Sequence, residues 1–266
     1  MNIEFYLNTM RIFIEICFDG TAYCGWQKQP NASSVQQTLE ERWSELFNIP
    51  VTLLGCGRTD TGVHASQFFV HHDVLNEDYY DRLTVAKLNA VLPADIAVKQ
   101  LFKVEDHFHA RFDANKRSYI YRCTSIKNPF NRHFTFYYPL IREMTLEDLQ
   151  EAAELLFAVD SYQSFTKTNS GVEHYHCQLY EAQWVKTPDG LEFHISANRF
   201  LRGMVRLIVG MCFNYALGKI SKSQILEDMK LGTQIQKSWS VPAEGLTLEK
   251  VAYPIPMEIL SADFRI

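Results

Sequence analysis

Apolar residues fall along this chain in short runs, each closed by a polar turn. The run Ile12–Phe18 (IFIEICF) predicts a strand that ends at Asp19-Gly20. Ser33-Ser34-Val35-Gln36-Gln37 has the form of a capping box, and Val35, Leu39, Trp43, Leu46 and Phe47 keep helical spacing after it. A short strand over 51–54 leads into a glycine-rich stretch, and 67–74 resumes as an extended segment. A helix is expected over 81–91, ending before Pro93, and a strand over 96–104. In the second half, 119–125 reads as a strand and Thr145 as the cap of a helix over 146–158. Thr187-Pro188-Asp189-Gly190 separates extended runs 178–186 and 191–197, a hairpin signal. A helix is expected from about 200 to 216, closing near Gly218, and Ser221 with Gln224 opens another.

Strands joined by hairpins and single helices, rather than by regular βαβ units, indicate an α+β fold. The expected architecture is two similar halves, each a mainly antiparallel sheet with helices on one face. The halves are expected over 1–110 and 111–266, consistent with 266 residues being long for one core. No apolar run approaches the ~18 residues that span a bilayer. Residues 1–11 lack a basic stretch ahead of an apolar one, so no signal peptide is expected and the expected compartment is cytoplasmic. The six cysteines show no C-x-x-C pair, which suits reduced, mostly buried thiols and argues against structural zinc.

The net charge of −5 argues against a nucleic-acid partner, but its distribution argues for one. Residues 111–142 hold seven Lys/Arg (Arg111, Lys116, Arg117, Arg122, Lys127, Arg132, Arg142) against a single acid, Asp113. A second basic block over 199–237 includes Arg199, Arg202 and Arg206, spaced for one face of the expected helix. Two solvated faces would give the same pattern; if both blocks line one cleft, a polyanion can dock there.

The stretch with most chemical content is Gly55-Cys56-Gly57-Arg58-Thr59-Asp60-Thr61-Gly62-Val63-His64-Ala65. Its glycines permit a tight loop and close approach to the backbone, and it carries an Arg and an Asp at a strand end. Neither phosphate-loop pattern, G-x-x-x-x-G-K-[ST] or G-x-G-x-x-G, occurs in it. On these grounds alone a surface turn with a local ion pair explains it equally well. His174-x-His176-Cys177 is a weak metal signal, and His64 reads as structural.

GRTDTGVHA (57–65) resembles the catalytic motif of the TruA family of tRNA pseudouridine synthases. Further segments resemble that family in order: Asp19-Gly20-Thr21-x-Tyr23-x-Gly25-Trp26-Gln27, Ser34-Val35-Gln36, Phe108-His109-Ala110-Arg111-Phe112 and Arg117-Ser118-Tyr119-x-Tyr121. Asn198-x-Phe200-Leu201-x-x-Met204-Val205-Arg206-x-x-Val209-Gly210 and Glu244-Gly245-Leu246-x-Leu248 complete the set. Thr61 departs from the family's usual Ala, and 172–178 is less basic than that stretch often is.

The resemblance implies a pseudouridine synthase fold with its catalytic cleft between the halves. It implies a cofactor-independent, metal-free isomerase acting on uridines of the tRNA anticodon stem-loop, at tRNA positions 38–40. It also implies a homodimer. Asp60 would be the catalytic carboxylate, as nucleophile or as base on the ribose. A carboxylate in a partly dry pocket needs a cation beside it, and Arg206 would supply it. Tyr119 would stack on the target base and assist removal of the C5 proton, Leu246 would pack against that base, and Arg58 would help flip it out. For Tyr121 a core position is expected. Two rival readings remain at this point: a non-catalytic RNA-binding protein on the same scaffold, and a metal-dependent phosphodiesterase using Asp60 and histidines.

Overall fold

A computed structural model describes residues 10–74, 77–166 and 174–262. In chain order its elements are β1 (Met10–Phe18), α1 (Val35–Phe47), β2 (Leu54–Gly55), β3 (His64–Val74), α2 (Glu77–Arg82), α3 (Val85–Ala90) and β4 (Ile96–Val104). They continue with β5 (Lys116–Thr124), β6 (Phe136–Tyr137), α4 (Leu146–Glu154), β7 (Leu179–Thr187), β8 (Gly190–Ala197), α5 (Met204–Ala216), α6 (Lys222–Leu231), β9 (Leu246–Ala252) and β10 (Glu258–Ala262). The fold is mixed α+β. The chain divides into two compact units: the first runs to Asn115 and takes in the segment from Val251 onward, and the second is Lys116–Lys250.

In the first unit β1 lies antiparallel between β3 (Ile14 opposite Val70) and β4 (Ile14 opposite Leu101). The late strand β10 pairs with the other edge of β4, Ile259 opposite Phe102. Ile12, Phe13, Ile14 and Ile16 of β1 are buried, as are Val35, Leu39, Trp43 and Phe47 of α1. Helix α1 starts as its sequence predicts: Ser34 is extended, and its Oγ accepts the Gln37 N–H. Tyr253 is fastened to this unit. Its hydroxyl donates to the Ala110 carbonyl at 2.6 Å, and its ring meets Phe13 and Phe69 edge-on.

In the second unit β8 lies antiparallel between β5 (Tyr119 opposite Ile195) and β7 (Trp184 opposite Phe193), and β6 pairs parallel to β5. Helix α4 packs on α5 and β7. The side chains of α5 from Met204 to Phe213 are buried almost throughout, apart from Arg206. Thr145 and Ser221 cap α4 and α6 through the N–H groups of Asp148 and Gln224. The 187–190 turn joins β7 to β8 as expected.

Four elements differ from expectation. The helix expected over 81–91 is two short helices, because extended Thr84 breaks the run and caps α3 through the Lys87 N–H. The helix over 146–158 tightens to a 3₁₀ turn at Leu155–Ala158. The strand over 51–54 is reduced to Leu54–Gly55. The helix expected from 200 begins only at Met204. Gly203 sits at φ 74°, a left-handed backbone that cannot continue a helix. Arg199 and Arg202 therefore precede α5 and share no helical face with Arg206.

Four of the six cysteines (Cys56, Cys123, Cys177, Cys212) are buried, and all six are free thiols. Burial pushes the Cys177 thiol up to about 11 and the Cys212 thiol up to about 12. Among the described residues no helix is long and apolar enough to cross a membrane. Residues 1–9 and 167–173 lie outside the described residues, and with them part of the signal-peptide and 172–178 readings.

Candidate active site

The candidate residues fall in both units: Arg58 and Asp60 in the first, Tyr119, Arg206 and Leu246 in the second.

Asp60 sits on a tight turn between β2 and β3. Its carbonyl accepts the Val63 N–H at 3.1 Å, and Gly62, third residue of that turn, has φ 77°. This is the geometry of a type II turn, which demands glycine at that place. The segment 19–27 supports the turn from behind. The Gly62 N–H donates to the Tyr23 carbonyl at 3.2 Å, and the Trp26 N–H points to the Thr59 carbonyl at 3.4 Å. Gly25, at φ 83°, lies so close to Thr59 that a Cβ there would collide with the Thr59 carbonyl oxygen. The buried Trp26 ring packs against Phe68 of β3, tilted by 31° with ring centres 4.4 Å apart, and the Tyr23 hydroxyl donates to Asp95 at 2.8 Å. Two of the segments that carry the sequence resemblance are thus one packed unit. It holds the Asp60 side chain half-buried and Arg58 exposed.

His64 opens β3 and is buried. Its Nδ1 accepts the Gly20 N–H at 3.0 Å and stands 3.1 Å from Asp19 Oδ1. Asp19 Oδ1 also accepts from the Thr21 N–H and hydroxyl, at 2.9 and 2.6 Å.

In the second unit, Arg206 lies in the first turn of α5. Its Nε donates to the Val241 carbonyl at 2.6 Å, and the Val241 N–H returns a bond to the Arg206 carbonyl at 3.3 Å. Arg206 is half-buried. Tyr119 is half-buried on β5, its ring edge-on to Phe200 at 5.2 Å. Tyr121, two residues along, is 0% exposed, and its hydroxyl donates to the Pro242 carbonyl at 3.0 Å. Burial drives the Tyr121 phenol far above its ordinary range, which fits the core position expected for it. Leu246 is buried at the start of β9. Nearby, Arg117 donates to the Asn198 carbonyl at 2.8 Å, and the Asn198 side chain accepts the Gln178 N–H at 2.8 Å, fixing the approach to Phe200.

The metal reading of 174–177 gains no support from the geometry. His174 Nε2 is engaged by Arg199 Nη1 at 3.0 Å, and Cys177 is buried. Among the described residues no group of three or more His, Cys, Asp and Glu is placed to hold a metal ion.

A family model described as "tRNA pseudouridine synthase" matches residues 16–113 and 152–254. The chain belongs to the tRNA pseudouridine synthase family. Curated relatives agree along almost the whole length. One from Porphyromonas gingivalis, named tRNA pseudouridine synthase A, is 39% identical over 247 residues, covering 92% of this chain and 97% of the relative. A Bacteroides thetaiotaomicron protein of the same name is 40% identical, covering 92% and 91%. One from Bacillus subtilis is 35% identical, covering 92% and 99%. The family thus includes the resemblance drawn from the motifs, and its enzymes are pseudouridine-forming isomerases. What sequence reasoning passed over is the support behind Asp60. Gly25 and Tyr23 act on residues 59–62 through the backbone, at more than thirty positions' remove, and no local pattern announces that contact.

Proposed function

We propose that this chain isomerises uridine to pseudouridine in the anticodon stem-loop of tRNA, with Asp60 as the catalytic carboxylate. The observation that carries the reading is the turn itself: an aspartate braced on both sides by main-chain contacts to residues 20–26. Such bracing suits a group that must meet a reacting atom in fixed geometry. The reaction breaks the glycosidic bond from N1 to C1′ and joins C1′ to C5. The proton leaving C5 is balanced by one taken up at N1, so no oxidant, reductant or co-reactant is consumed. Asp60 acts as nucleophile or as base on the ribose.

Arg206 supplies the positive charge that keeps a partly desolvated carboxylate ionised. Its Nε donates to the Val241 carbonyl, which fixes the orientation of the planar guanidinium. Tyr119 stacks on the detached base and its hydroxyl helps take the C5 proton. Leu246 packs on the base, and exposed Arg58 enters the stem space that the flipped nucleotide vacates. The reading thus has residues of both units serve one bound uridine in a cleft. It also includes a cytoplasmic homodimer and requires neither metal nor cofactor.

Tritium release from tRNA carrying C5-labelled uridine tests the proposal. Wild-type protein is expected to release tritium, and Asp60→Asn and Asp60→Ala to release none while still binding tRNA. Normal turnover by either variant would remove Asp60 from the chemistry. Mapping pseudouridines in tRNA from cells with and without the protein tests the anticodon position.

A further inference from the structure

The Asp60 turn is held by main-chain contacts on both sides and, at its exit, by one side chain as well. On the N-terminal side the restraint is main chain alone, Trp26 N–H to Thr59 and the close approach of Gly25. On the C-terminal side the turn closes at Val63, and the next residue is His64. Its buried ring reaches across to Gly20, at the start of the bracing segment. One nitrogen, Nδ1, makes that link. It takes the Gly20 N–H at 3.0 Å. Asp19 Oδ1, close by, takes two hydrogen bonds from Thr21 and keeps the 19–21 turn folded so that the Gly20 N–H points at the ring.

We infer that His64 is a positioning residue for Asp60: through Nδ1 it locks the exit of the catalytic turn onto the Asp19–Gly20 corner. The inference rests on the proposed role of Asp60 and adds to it. His64 touches no substrate and moves no proton. It fixes where the carboxylate stands. Without the ring, the Gly20 N–H loses its acceptor and the exit of the turn keeps only its main-chain contacts, the Gly62 N–H to Tyr23 and the close approach of Gly20 to Val63. Displacements of about 1 Å at a reacting group cost on the order of 100-fold in rate.

Steady-state tritium release by full-length His64→Ala, His64→Asn and His64→Gln, below their melting temperatures, tests this. His64→Ala is expected to lower kcat by about 10- to 100-fold with KM for tRNA within about 2-fold, because binding does not pass through the turn. His64→Asn places an amide oxygen where Nδ1 stood and is expected to recover much of kcat. His64→Gln places its amide near the position of Nε2 and is expected to recover little. A residue that only contributes stability would lower the melting temperature of all three and leave kcat of the folded enzyme unchanged. That result, or equal kcat for the Asn and Gln variants, overturns the inference. If His64→Ala does not fold, the Asn and Gln contrast decides alone. Asp60→Asn run alongside separates the two claims. Its retention of turnover overturns the role of Asp60, whereas an inactive Asp60→Asn with fully active His64 variants overturns only that of His64.

Discussion

Arg206 and Val241 hold each other by two hydrogen bonds, Nε to carbonyl at 2.6 Å and amide to carbonyl at 3.3 Å. The Arg206 side chain, in the first turn of α5, is therefore fixed at its Nε. Lysine can carry the charge but cannot make the fork.

Arg206→Lys is accordingly expected to lower kcat by about 100-fold or more, the scale of losing one preorganised donor. tRNA affinity, measured by filter binding, is expected to change little, since the positive charge is retained.

Tyr119 separates a ring from a hydroxyl. Tyr119→Phe keeps the edge-on contact with Phe200 and the π face, and removes the polar tip. It is expected to bind tRNA as wild type does and to lose about 100-fold or more in tritium release, the range of a general acid–base group. Tyr119→Ala is expected to lose binding of the flipped base as well, seen as a higher KM.

Gly25→Ala introduces a methyl group at φ 83°, aimed at the Thr59 carbonyl. The strained backbone alone costs about 1–3 kcal/mol. The urea midpoint is expected to fall, and turnover of the folded fraction to fall with it, because the group pushed aside is one residue before Asp60.

Acid is expected to destabilise the first unit through His71. Burial, reinforced by Arg11, pushes this imidazole down to about 4, from an ordinary value of 6.5. Between those values the unfolded chain takes up a proton that the folded one refuses. Stability is therefore complete above about pH 6.5 and lost progressively as pH falls toward 4. His72 and His109 are lowered in the same direction by burial. His71 Nδ1 accepts the Ala110 N–H at 3.1 Å. His71→Asn, which keeps an acceptor there, is expected to flatten the dependence of the urea midpoint on pH between 4 and 6.5.

Local signals were legible where the physics is local. Ser34, Thr145 and Ser221 each cap the helix they precede, and the alternation around 187–190 closes as a hairpin. The start of α5 misleads because Leu201, Met204, Val205 and Ile208 keep a helical period straight across Gly203, and only its left-handed backbone stops the helix. Thr84 breaks the run over 81–91 for a similar reason, since a capping side chain outweighs an unbroken apolar period. Strand β10 had no advance signal either. It exists because β4 offers it an edge, and that edge belongs to residues more than 150 positions earlier. At the candidate site, Asp60 and Arg58 stood out by chemistry, whereas Tyr119, Arg206 and Leu246 look like ordinary strand, helix and core residues. Only the ordered set of motifs singled them out.

The return of the chain after Val251 has a consequence for biosynthesis. As the polypeptide leaves the ribosome, its first 115 residues emerge without the strand that covers β4 or the Tyr253 ring that seals Phe13 and Phe69. The stretch 116–250 is contiguous and has its own partners at hand. The unit bearing Asp60, though translated first, is the last to be completed, and its open β4 edge stays available for wrong pairings until translation passes residue 262.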